Sequence, residues 1–216
     1  MADMVPNENY MSVTLDLGSL GHIAHPQAEF PWGNFGRALS KSGNEIQRDL
    51  KDVYESLQIE TRLRLTASRF LSKEDPGVVP NDEVLALEVQ LSISGNMQTI
   101  LLFEDGTARH LSSSGVLIIQ DDTSPLLKKT IAETLLIATH ELPRLKEVYG
   151  NSTGEVRFSF STLREDTAIS LSLDRIDGDL ALMKFLGDAT RVLAHLINSS
   201  LRLQHIPEAR TLKIET

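Results

Sequence analysis

Cysteine is absent from the 216 residues, which removes disulfides, thiolate metal centres, cysteine nucleophiles and iron–sulfur clusters together. Positive charge is scarce: 21 Lys and Arg stand against 30 Asp and Glu, a net charge of −9. Phosphate contacts need clustered basic residues, so no nucleic-acid partner is expected. Docking on an anionic membrane surface is disfavoured on the same ground. Long apolar runs are missing too, and none approaches the roughly 18–20 residues that span a bilayer. Residues 1–6 hold no basic region leading into an apolar stretch, so no secretory signal is expected and a cytoplasmic protein is. No strong catalytic motif occurs. The remaining composition, 41% hydrophobic and 24% charged, is that of a globular chain long enough to bury a core.

What is present is a succession of periods. Residues 1–34 read as an N-terminal extension: Met11, Val13, Leu15 and Leu17 alternate as a short strand, and a Gly- and Pro-rich loop follows. Phe35, Leu39, Ile46, Leu50, Val53, Tyr54 and Leu57 fall on one stripe and predict a helix over 35–57. Ile59, Thr61, Leu63, Leu65 and Ala67 then alternate with Glu60, Arg62, Arg64 and Thr66, which predicts a half-buried strand over 59–67. A polar loop is expected over 72–83. Strands follow over 85–93 and 99–103, joined by a turn at Ser94-Gly95-Asn96. Val116-Leu117-Ile118-Ile119 suits a short buried strand.

Ser124-Pro125 starts a helix, with a side-chain acceptor at the N-cap and a fixed φ at the first helical position. Pro143 should kink or break it, and a second piece should end at Gly150. Val156, Phe158 and Phe160 alternate out, and Ile169, Leu171 and Leu173 alternate back, as an antiparallel hairpin. A helix over 179–202 closes the domain, and 203–216 reads as a polar tail. The class is α+β, in the order (β)-α-β-β-β-α-β-β-α, with one domain over 35–202.

Few residues invite chemistry. His22 and His25 are three apart, but a metal needs a third and usually a fourth ligand, and only Glu29 is near in sequence. His140-Glu141 lacks the second His of a zinc-protease helix, and helix capping is the expectation. Ser112-Ser113-Ser114-Gly115 has neither the spaced glycines nor the Lys of a phosphate loop, and reads as a turn between strands. Asp105, Asp121, Asp122, Asp177 and Asp179 all sit in turn-like segments, where turn and cap chemistry accounts for each. No catalytic residue, metal or cofactor follows.

From residue 35 onward, the order α-β-β-β-α-β-β-α resembles the type III secretion chaperone fold shared with the YbjN-like proteins. The similar features are the strand and turn Leu101-Leu102-Phe103-Glu104-Asp105-Gly106, the central helix entered through Ser124-Pro125, and the Phe158–Leu173 hairpin before a long helix. Residues 1–34 have no counterpart there. The resemblance implies a small acidic dimer that binds an extended segment of another protein, without cofactor or nucleotide.

The residues themselves lead the same way. An exposed strand with flanking apolar positions receives a peptide by main-chain pairing, and Leu63, Leu65, Leu87 and Val89 are the expected contacts. Phe30 and Trp32, aromatics in a polar loop, are candidate anchors for the partner. The final helix carries nine apolar positions, wider than one sheet face needs, which predicts a homodimer. The competing readings are an enzyme of unrecognised class with a site near His22 and His25, and an immunity, adaptor or virion protein.

Overall fold

The computed structural model describes residues 29, 31, 34, 44–74, 82–120 and 123–204. Two helices come first, α1 (Asn44–Glu55) and α2 (Thr61–Glu74). A meander of four strands follows: β1 (Val84–Ile93), β2 (Asn96–Phe103), β3 (Ala108–Ser112) and β4 (Leu117–Gln120). Then come α3 (Pro125–Tyr149), the hairpin β5 (Val156–Thr162) and β6 (Asp166–Leu171), the short α4 (Leu173–Asp177) and the long α5 (Leu180–Gln204). The six strands form one sheet in the order β4-β3-β2-β1-β5-β6, and every adjacent pair is antiparallel. The α+β class expected from the periods is the class of the fold. The extension strand at 11–17 lies outside the described residues.

The period of two places alternate residues of each strand on opposite faces. On the first face Leu87, Val89, Ile100, Leu102, Phe158, Phe160 and Ile169 meet α3 and α5. Phe185 of α5 lies edge-on to Phe158 and Phe160, with ring centroids 6.4 and 5.8 Å away. Burying a side chain of that size stabilises by about 1.5–3 kcal/mol. On the second face Leu85, Ala86, Leu101 and Phe103 meet α1 and α2. Leu85 and Ala86 are consecutive yet share that face, because β1 shifts register against β5 between Val84 and Ala86.

The largest departure from the sequence expectation is α2, since 59–67 is not a strand. All eight residues from Thr61 to Ser68 are buried, so the helix shows no polar face from which a 3.6 period is read. Buried Arg64 is inside because it is paired. Arg64 donates to the Tyr54 carbonyl at 3.0 Å and pairs with Glu104. Arg109 of β3 reaches Glu60 at 2.6 Å and stacks over Phe103. The helix start is tied to the β2–β3 turn by a reciprocal pair. The Thr61 N–H donates to Asp105 Oδ2 at 2.7 Å, and the Asp105 N–H donates to Thr61 Oγ1 at 3.2 Å.

Other expectations are met. Ser94 and Gly95 have φ of 52° and 79°, the conformation that a two-residue hairpin loop requires. Ser124 caps α3 by accepting the Leu127 N–H, with Pro125 at the first helical position. Pro143, however, neither breaks nor ends the helix, which runs unbroken to Tyr149. The proline is exposed, and the buried Ala138, Leu142 and Leu145 hold both flanks on the sheet. The predicted 179–202 helix is α5, but Leu173 belongs to α4 rather than to the hairpin.

Candidate docking edge on the outermost strand

Leu63, Leu65, Leu87 and Val89 are all buried, which corrects the expectation that they form a contact surface. Leu63 and Leu65 belong to α2 and its core. Leu87 and Val89 are on β1, which pairs with a neighbour on each side; the same is true of β2. Neither strand offers an edge. Phe30, Trp32, His22 and His25 lie outside the described residues. On α5, Leu182, Phe185, Ala189, Val192, Leu193 and Leu196 are buried against the sheet and α3, whereas Leu180, Met183 and Ile197 stay exposed.

Among the described residues the unpaired strands are β4 and β6. The β4 edge is built from its hairpin. Gly115, at φ 89°, closes the loop after Ser112, with Gly115 N–H donating to the Ser112 carbonyl and Ser112 N–H to the Val116 carbonyl, each at 2.9 Å. The Ser112–Gly115 segment is therefore the turn that its composition predicts. Because Ser112 bonds Val116, the alternation of an antiparallel ladder makes His110–Ile118 and Ala108–Gln120 the bonded pairs. The main-chain N–H and C=O groups of Leu117 and Ile119 consequently point away from β3.

Their side chains lie on the second face of the sheet, in line with Leu111 and Arg109. Leu117 is 39% exposed, Ile119 41% and Val116, at the turn, 49%. Met97 on the same face is also exposed. Residues 117–119 of the run are thus strand as expected, but they are not buried, because β4 lies at the sheet margin. Continuous apolarity was a sound signal for a strand and a poor one for its depth. The position of the run, last in a meander and just before Asp121-Asp122, was the available sign of an edge.

The hairpin is held rigid from the first face by a polar chain. His110 is buried, with Nε2 2.8 Å from Gln98 Oε1; the amide nitrogen of Gln98 donates to Ser112 Oγ at 3.2 Å, and Ser112 meets Ser114 at 2.9 Å. With Gln98 Oε1 as acceptor, the proton sits on His110 Nε2, while Nδ1 has no partner. Burial lowers the His110 pKa and keeps the ring neutral. On the second face, burial raises the pKa of Glu88, against the opposing effects of Arg157 and a hydrogen bond from Gln90.

A concavity of about 600 Å³ lies beside Pro143 between α3, the start of β1 and the β5–β6 turn. Its charged groups are largely spent on one another. Lys146 pairs with Glu165, and Arg164 lies 3.4 Å from Asp82. His140 lines it and caps nothing, since the helix continues, and Glu141 pairs with Arg144 at 2.6 Å. Of the turn carboxylates, Asp105 and Asp179 act as caps, Asp177 ends α4, and Asp121 and Asp122 lie outside the described residues. Asp105 serves α2 and the Thr107 N–H, and Asp179 accepts from Ala181 and Leu182 at the start of α5. Arg144 grips Asp179 with two bonds, at 2.8 and 3.1 Å, and holds its carboxyl below the usual range. Among the described residues no three His, Asp or Glu side chains converge as a metal site. Nor is any helix among them long and apolar enough to cross a membrane.

The class that these observations define is an α+β protein, with a six-stranded antiparallel sheet that carries helices on both faces. Compared with known proteins, the chain matches no family model, no curated protein and no solved structure.

Proposed function

We propose that the chain is a non-catalytic, cytoplasmic, chaperone-like module that holds an extended segment of a partner polypeptide along β4. The observation that carries this reading is the pairing of free main-chain groups on Leu117 and Ile119 with aliphatic side chains left 39–41% exposed at the same two residues. An added strand gains affinity from main-chain hydrogen bonds and selectivity from alternate side chains. The net charge of −9 keeps such an apolar edge soluble and repels phosphate backbones. The helix entered through Ser124-Pro125 and the hairpin before a long helix, the features in which the sequence resembles secretion chaperones, also support the reading.

The test is a titration of the isotope-labelled chain with an eight-residue peptide alternating Ile and Thr. A peptide of the same composition with Pro at alternate places is the control. Amide shifts should move at Leu117, Ile119 and their β3 neighbours, with an affinity that falls only weakly with salt. Shifts confined to other elements, or equal binding of the proline peptide, would overturn the proposal.

A further inference from the structure

Resting on the same open edge, we infer that β4 also pairs with β4 of a second copy of this chain, in one register centred on Ile118. The register follows from two constraints. Residues opposite one another in a sheet share a face, so Leu117 and Ile119 must face Leu117 or Ile119 of the other copy, and Ile118 must face Ile118 or Gln120. The outward main-chain groups belong to Leu117 and Ile119 alone within β4. Setting Leu117 opposite Ile119 in both directions uses all of them and forms four main-chain hydrogen bonds. Centring the pair on Leu117 or on Ile119 satisfies only one of these residues per copy.

Side-chain chemistry selects the same arrangement. The centred register gathers two leucines and two isoleucines on the second face, and aliphatic neighbours across strands are favourable. β4 bears no charge and no proline, two of the devices that stop an edge from pairing with its own kind, and shortness is the one that it keeps. A four-residue ladder falls short of the about 1,200 Å² of a standard interface, so the pairing is a concentration-dependent equilibrium. A partner segment with a longer match would displace it.

Sedimentation velocity of the full chain over a wide concentration range decides this, with Leu117→Lys and Ile119→Pro as variants and their folding checked by circular dichroism. Leu117 is partly exposed, and the Ile119 N–H points away from β3, so neither change removes a bond within the sheet. The mass should climb from 23.9 kDa towards twice that value in the parent chain and stay at 23.9 kDa in both variants. Should one variant not fold, the other decides. A parent chain that remains at 23.9 kDa, or a dimer that survives the folded variants, overturns self-pairing. The peptide titration separates the two readings: peptide shifts at Leu117 and Ile119 without a dimer sink self-pairing alone, and the absence of both sinks the docking edge itself.

Discussion

Along β6 the residues that point away from α3 and α5 are Asp166, Ala168 and Ser170, whereas along β4 they are Leu117 and Ile119. Both strands end the same sheet, and both turn an isoleucine inward, Ile169 on β6 and Ile118 on β4. Yet β6 shows the outside one carboxylate, fixed to Arg69 at 2.7 Å, and two small side chains. That is the usual defence of an edge, in which charge and small polar groups make pairing with a foreign strand costly. On β4 the defence is missing. An edge left aliphatic on its outward face is either a hazard or a contact, and the rigid bracing of the β3–β4 hairpin argues for a contact.

The largest effect should come from truncating the aliphatics of the two edges in parallel. Ile169→Ala on β6 removes a side chain that is 1% exposed and should cost about 2–5 kcal/mol in urea unfolding. Ile119→Ala on β4 should cost under about 1 kcal/mol, because the site is already half in water. Equal costs would mean that β4 is a core strand after all, and the contrast between the edges would collapse.

Next in size is the clamp beyond β6, where the chain passes through α4 to Asp179. Asp179→Ala removes the cap of α5 and the partner of Arg144, and should cost about 1–2 kcal/mol at neutral pH. Asp179 is held below its ordinary 3.8, so its contribution is complete above that value and is lost as pH falls through the lower, folded one. A variant whose deficit were unchanged in strong acid would refute the clamp.

The smallest effect distinguishes the β4 side by pH. His110 titrates below 6.5 in the fold, so the unfolded chain takes up its proton first as the solution is acidified. Its contribution is therefore full above 6.5 and declines below, well before Asp179 is reached. His110→Gln keeps a donor for Gln98 and should flatten the stability profile just below 6.5. Glu88, whose pKa burial raises, acts with the opposite sign, and the comparison of parent and variant cancels it. Identical profiles in parent and variant there would show that the ring is not desolvated.

The hairpins, the capped α3 and the long α5 were legible in the sequence because local signals and tertiary placement agree in them. Ser94-Gly95 demanded its turn, Ser124-Pro125 its helix start, and Phe158 and Phe160 alternate as a strand with one buried face should. α2 was illegible for an energetic reason. Arg62 and Arg64 are buried, and Arg64 is neutralised by Glu104, so polarity no longer tracks exposure and the Leu63, Leu65, Ala67 alternation imitates a strand. The open edge of β4 was hidden for the complementary reason. Leu117 and Ile119 look like core residues, and only their position at the end of the meander marks them otherwise. Depth in the fold is a property of sheet order, which pairwise sequence patterns do not carry.

The reciprocal bonds between Thr61 and Asp105 join two stretches that are 44 residues apart in the chain. Arg64 with Glu104, Arg109 with Glu60 and Arg69 with Asp166 fasten the same two halves across α2. The backbone between Glu74 and Asp82 is therefore not what keeps α1 and α2 on the sheet. A protease cut there should leave a nicked protein that migrates as one particle under native conditions and as two fragments in denaturant. Expressed apart, the two pieces should find each other, which makes this junction a natural place to divide the molecule into complementing halves.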